Sequence, residues 1–210
     1  MQGGFTQNKS SKFFMEVTKR VHMQIHKENL TIRSARVEDA KVLTDWWNDG
    51  NIMAHAGYPK GLNQSIEETI AQIKENEIRL SQRCIIEVNG IRIGELSYGI
   101  GDGFAEIGIK ICDTSYQNCG IGTKLLNMLI EFLFTDDAIN TKVKIEKIIL
   151  DTNLKNKRAQ HVYEKIGLIK LRVNKDAWEN QIGEMQSSVD YEMTREQFQK
   201  SRSVRFGGSQ

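Results

Sequence analysis

The chain has 210 residues, 39% of them apolar and 27% charged, with a formal net charge of +2. This length and balance fit one globular domain with enough core to fold alone. Cys84, Cys112 and Cys119 are an odd number without Cys-x-x-Cys or Cys/His spacing, so they argue against a disulfide framework and a zinc site and suit a reducing cytoplasm. No apolar run approaches a membrane span and the start lacks a signal-like apolar stretch, so the expected protein is soluble and intracellular, with no membrane partner.

Taken in chain order, residues 1–30 carry five basic and two acidic side chains, residues 196–210 three and one, and the stretch between is net acidic. The terminal charges are sparse and mixed with Gly, Ser and Gln. They read as solvated ends, a flexible basic extension over 1–29 and a tail over 196–210, more than as a nucleic-acid arm. The working domain is expected over 30–195. Residues 30–36 alternate as a first strand. Glu38 and Asp39 open a helix reaching Trp47, as acidic residues favour a helix N-terminus. A Gly/Asn-rich loop follows over 49–63, then Ser65 with Glu68 three residues on marks a capping box for a second helix. Residues 84–88 and 91–98 flank Asn89-Gly90, a two-residue hairpin signal. A fourth strand over 104–111 leads into a glycine-rich run, and a helix, a fifth strand, another helix and a strand ending at Leu171 or Val173 follow. Residues 189–193 close the sheet. The pattern is α/β with a mixed sheet.

The run Gln117-Asn118-Cys119-Gly120-Ile121-Gly122-Thr123-Lys124-Leu125-Leu126 joins a glycine turn directly to an apolar helix. Glycine lets backbone N–H groups approach an anion, and the helix adds unpaired N–H groups and the positive end of its dipole. Two familiar phosphate loops fail on spacing. The P-loop requires Gly-Lys before Ser or Thr, and here the order is Gly122-Thr123-Lys124. The dinucleotide fingerprint requires a third glycine where Leu125 stands. A second motif lies about thirty residues on: Asn156-Lys157-Arg158-Ala159-Gln160-His161-Val162-Tyr163-Glu164-Lys165-Ile166-Gly167-Leu168, read as a helix with Gly167 as its C-cap.

Together, Gln-x-x-Gly-x-Gly and Asn-x-Arg-Ala-x-x-x-Tyr-x-Lys-x-Gly-Leu resemble the two ordered motifs of the GNAT superfamily of acetyl-CoA-dependent N-acetyltransferases, with Leu168 where an aromatic is more usual. The resemblance spans residues 30–194. Trp46-Trp47-Asn48-Asp49 and Ala105-Glu106-Ile107-Gly108-Ile109 are most similar to the ribosomal-protein and aminoglycoside acetyltransferase branch. It implies the GNAT fold, a mostly antiparallel sheet of six or seven strands with about four helices and parallel strands 4 and 5 splayed at a bulge.

The same resemblance implies acetyl-CoA as co-substrate and no metal. It places the pyrophosphate against the backbone of Gln117, Asn118, Cys119, Gly120, Ile121, Gly122, Thr123 and Lys124, and the pantetheine arm along Ile111, Cys112 and Asn156. It assigns Tyr163 as the acid that protonates the departing thiolate, and an N–H near residues 109–111 as oxyanion donor. Asp151, ending the fifth strand, and Glu106, on the fourth, are the alternative bases. Asp151 could instead bond the following turn, and Glu106 could be a solvated strand position. His161 falls at a variable position of the motif, read as surface. Cys112 and Cys119 are read as packing or loop residues, not acyl carriers.

Trp46, Trp47, Tyr58 and Trp178 are candidates for either an acceptor wall or core packing, and Asp45, Asp49 and Asp176 could attract a cationic amine. An aminoglycoside, a polyamine, another small amine or a protein N-terminus all fit as acceptor. A homodimer is allowed. A GNAT-fold module that binds or senses acyl-CoA without catalysis is the alternative, and a nucleic-acid protein acting through its basic ends the third.

Overall fold

The computed structural model describes residues 23–76 and 81–206. Residues 1–22 of the expected 1–29 extension and the Gly207-Gly208-Ser209 tail lie outside them. Eight strands form one sheet: β1 (Gln24–Lys27), β2 (Leu30–Ser34), β3 (Ser81–Val88), β4 (Ile91–Ile100), β5 (Phe104–Ile111), β6 (Lys147–Asn153), β7 (Ile169–Glu179) and β8 (Met185–Thr194). Their order is β1-β2-β3-β4-β5-β6-β8-β7, antiparallel except where β5 meets β6. The helical segments are α1 (Ala40–Asn48), α2 (Gly50–Met53), α3 (Ile66–Asn76), α4 (Ile121–Thr135), α5 (Asp137–Asn140), α6 (Lys157–Lys165) and α7 (Arg195–Phe206).

Alternation along the strands sends apolar side chains to two cores, one on each side of the sheet. Leu30, Ile32, Ile86, Leu96, Ile107, Ile148, Leu150 and Val189 face the larger one, which α4 covers with Leu125, Leu126, Leu129, Ile130 and Leu133. A fully buried side chain of this kind contributes about 1.5–3 kcal/mol, so α4 is the main clamp on the sheet. The smaller core gathers Ala35, Leu43, Trp47, Met53, Ile73 and Ile85 under α1 to α3.

Several local expectations appear as read. Asn89 and Gly90 both have positive φ, 50° and 77°, the backbone of a two-residue hairpin turn. Ser65 and Glu68 cap α3 reciprocally, Glu68 Oε2 accepting from Ser65 N at 2.7 Å and Ser65 Oγ from Glu68 N at 3.1 Å. Gly167 has φ 97°, and the N–H of Leu168 returns to Tyr163 O at 3.0 Å to close α6.

Other expectations are corrected. The sheet begins at Gln24, ahead of the expected start at Leu30, because β1 pairs with β2 and Met23 is buried. The tail is helical as α7, whose Phe198 packs on Phe134 at 4.9 Å. The first helix is preceded by a single 3₁₀ turn, Val37–Asp39, in which Asp39 is buried and takes two bonds from the Arg33 guanidinium. The 49–63 loop contains α2, since Asp49 Oδ1 accepts from Asn51 N at 2.7 Å; Gly50 is required there because a Cβ would sit 2.1 Å from Pro59 O. β7 continues to Glu179, which brings Trp178 onto a strand, and β1 makes eight strands in place of six or seven. Among the described residues no helix is long and apolar enough to cross a membrane.

Candidate active site

The two parallel strands separate early. β5 and β6 pair from Phe104↔Lys147 to Glu106↔Ile149 and no further, while β4 follows β5 without a break from Ile100↔Ala105 to Gly94↔Ile111. The bulge expected near residues 109–111 is therefore not on β5; the irregularity lies between Ile86 and Glu87 in the β3/β4 ladder. Cys112 N bonds Ile93 O at 2.8 Å, and counting back in alternation gives Lys110 and Gly108 as the residues bonded to β4. The N–H groups of Ile109 and Ile111 consequently point into the gap left by β6.

A cleft of about 1640 Å³ occupies this gap, running between β5, β6, α2, α4 and α6. Its cofactor end is the glycine turn. Gly120 has φ 80° and Asn118 φ 60°, so both turn the chain left-handed just before α4. No side chain caps α4, which leaves the N–H groups of its first turn open, as an anion site requires. A Cβ added to Gly122 would meet nothing within 4 Å, so the fold itself does not demand glycine there; close approach of a ligand backbone would. Ile111, Cys112, Gln117, Asn118, Gly120, Ile121, Gly122, Thr123 and Asn156 all line the cleft. Two candidates do not. Lys124 turns its ammonium to Glu28 at 3.1 Å and its N–H to Gly120 O, and Cys119 is exposed with its thiol on Tyr116 O.

Gln117 has a definite task. Its Nε2 donates to Ile111 O at 2.8 Å and its Oε1 accepts from Arg158 Nη1 at 2.6 Å, so one side chain spans from β5 to α6. Asn156 Oδ1 caps α6 by accepting from Ala159 N, leaving its amide nitrogen for a ligand. Cys112 is buried, and burial pushes its thiol up to about 12, so it is no thiolate nucleophile near neutrality.

Tyr163 and Asp151 meet at the far end. Tyr163 is 6% exposed on the inner face of α6, its ring edge-on to Tyr191 at 5.5 Å, and it lines the cleft. Burial, and then the charge of Asp151, push its phenol up to about 12. Asp151 lines the same cleft from β6; desolvation, then Asp190 and Glu106, raise its pKa above the usual carboxylate value. Glu106 is exposed and outside the cleft lining, on the sheet face that carries Asp151, and it acts on Asp151 through charge.

The aromatic candidates divide. Trp178 lines the cleft, its ring where a Cβ on Gly57 would lie at 2.3 Å. Trp47 is core: it is 3% exposed and its indole N–H donates to Glu95 Oε1 at 3.0 Å. Trp46 packs partly buried against the smaller core, and Tyr58 is exposed; neither lines the cleft. Asp49 lines it, whereas Asp45 pairs with Lys41 on the surface of α1. Lys110, His55 and His161 are cleft residues that the sequence reading left out or placed on the surface. Only His161 stood inside a motif; Lys110 and His55 carry no local signal.

A model of the acetyltransferase (GNAT) domain matches residues 29–169. The chain belongs to the GNAT acetyltransferase family. It is an acetyl-CoA-dependent acyltransferase with the fold of that family. Among curated proteins it is similar to the aminoglycoside N(6′)-acetyltransferase type 1 of Klebsiella pneumoniae, 28% identical over 159 residues covering 67% of this chain and 74% of that enzyme. Among solved structures it is similar to the Vibrio cholerae spermidine N-acetyltransferase in complex with CoA and spermine, TM-score 0.71, 21% identity, covering 82% of this chain and 99% of that one. It is also similar to a ribosomal L7/L12 α-N-protein acetyltransferase in complex with coenzyme A, TM-score 0.71, 18% identity, covering 82% and 98%.

Proposed function

We propose that this GNAT enzyme moves the acetyl group directly from acetyl-CoA to a primary amine, of a small molecule such as an aminoglycoside or polyamine or of a peptide N-terminus, with Asp151 as base and Tyr163 as acid. The observation that carries the reading is one cleft lined both by the uncapped N-terminus of α4 and by these two oppositely suited groups. The acceptors borne by the names of the related enzymes, aminoglycoside, spermidine and a ribosomal protein N-terminus, are all amines, which supports the class without choosing within it.

The residues divide the work as acyl transfer requires. The N–H groups of α4 and the turn hold the pyrophosphate, and Gln117, bridging β5 and α6, keeps the gap at the width the pantetheine arm needs. Asp151 takes a proton from the attacking nitrogen, directly or through one water, as that nitrogen bonds the thioester carbon. The Ile109 and Ile111 N–H groups face the oxygen on which charge develops. Tyr163 gives its phenolic proton to the sulfur as the carbon–sulfur bond breaks, and recovers it from solvent. No enzyme-bound acyl group forms, in keeping with the protonated Cys112.

The test is ligand binding before chemistry. Coenzyme A at 100 times its Kd stabilises the fold by about 2.7 kcal/mol, read as a rise in melting temperature. No shift at saturating coenzyme A would remove the donor site and the reading with it.

A further inference from the structure

Behind the cleft wall lies a buried charge cluster that the scheme does not use. Glu95 on β4 is 2% exposed, and its carboxylate accepts from Trp47 Nε1 at 3.0 Å, Arg83 Nη1 at 2.8 Å and Lys110 Nζ at 2.7 Å. Burial pushes the Glu95 carboxyl up, but the charges of Arg83 and Lys110 and the bonds from Lys110 and Trp47 outweigh it and hold it below the usual carboxylate range. One anion against two cations leaves the group net positive. Arg83 sets its share against the Trp47 ring, its guanidinium lying 4.9 Å from the ring centroid. Lys110 points its share at the cleft it lines.

The donor count is equally uneven. An ammonium has three N–H donors. Glu95 takes one from Lys110, the Met53 sulfur takes a second at 3.2 Å, and among the described residues no acceptor takes the third. Lys110 is thus a cation fixed from below by a buried counter-ion, with one donor left on the wall of the cleft. Such a donor binds oxygen well and repels another ammonium.

We propose that Lys110 is a specificity residue that binds an oxygen carried by the acceptor close to its amine, so that the enzyme selects oxygen-flanked amines over purely cationic alkyl polyamines. This rests on the acetyl-transfer reading above. The oxygen is a hydroxyl, as on an aminosugar, or a carbonyl, as on a peptide N-terminus; the chemistry at Lys110 is shared. Among the described residues the carboxylates lining the cleft are Asp49, Asp113 and Asp151, and they are suited to the amine itself.

Free-thiol release from acetyl-CoA, measured with glucosamine, a seryl dipeptide, spermidine and 1,4-diaminobutane, tests it in the wild type, Lys110→Met and Lys110→Arg. The wild type is expected to prefer glucosamine or the dipeptide. Lys110→Met should lower kcat/KM for that acceptor at least tenfold while leaving the two alkyl amines unchanged or improved, and Lys110→Arg should keep part of the preference. A fold defect would lower all four alike, so an equal loss across both classes overturns the proposal, as does a wild-type preference for the alkyl amines. Thiol release from none of the four, with coenzyme A still bound, overturns the acetyl-transfer reading and this inference together; a preference that Lys110→Met does not alter overturns this inference alone.

Discussion

Tyr163 and Asp151 are tuned in the same direction and become suited to opposite tasks. Raising a phenol to about 12 keeps it protonated through the neutral range, ready to donate. Raising the pKa of a carboxylate strengthens it as a base. The same tuning has a stability consequence with a definite sign. A carboxyl whose folded pKa is above its unfolded value destabilises the fold at pH values above that folded pKa, and the penalty disappears as pH falls below the unfolded one. Asp151→Asn should therefore raise the melting temperature at pH 7, with the gain fading under acid, while kcat drops roughly 10²-fold or more; thermal melts across pH and steady-state rates check both. The helix that carries Tyr163 was legible in the sequence from its motif. Trp46 and Trp47 were not separable there, because which neighbour on a helix finds the buried Glu95 depends on β4, 48 residues away from Trp47. Lys110 was missed for the same reason: alternation gives its face but not its counter-ion.

At the level of elements, the proposed function makes the glycine turn and α4 one anion site, and its two glycines answer to different constraints. Gly120 is held at φ 80°, so Gly120→Ala strains the backbone by about 1–2 kcal/mol. Gly122 has ordinary helical backbone and open space, so Gly122→Ala should stabilise α4 by up to about 1 kcal/mol. If a pyrophosphate packs on it, the same change should nevertheless raise the KM for acetyl-CoA roughly tenfold, a loss of about 1.4 kcal/mol. Chemical denaturation and initial-rate kinetics on the two variants separate stability from binding. Elements with local signals could be read directly: the Asn89-Gly90 hairpin, the Ser65/Glu68 cap and the Gly167 stop. What escaped depends on partners distant in sequence. β1 exists because β2 offers it an edge, α2 because Asp49 turns back to cap it, and β7 extends to Glu179 because β8 runs beside it. The splay needs no bulge on β5 once pairing with β6 ends at Glu106↔Ile149.

Across the whole molecule, the sheet carries a large core that holds the cofactor elements and a smaller one under α1 to α3 beside the acceptor half. Glu95 ties the smaller core to the cleft wall, joining Trp47 to Lys110 and to Arg83 on β3. Breaking a buried pair of this kind by removing one charge costs about 3–5 kcal/mol, so Glu95→Gln should lower the urea midpoint more than any change at exposed Glu106. Because the folded Glu95 carboxyl is held low, its contribution is present above the ordinary carboxylate pKa and is lost as pH falls through the folded value. These supports matter only if the cleft performs acyl transfer through α6. The most direct measurement is free-thiol release from acetyl-CoA over a panel of primary amines, by wild type and Tyr163→Phe. The account predicts saturable turnover by the wild type, and a kcat lower by roughly 10²-fold or more in Tyr163→Phe with coenzyme A binding unchanged. Turnover by Tyr163→Phe at the wild-type rate, or none by the wild type with any amine, would contradict it.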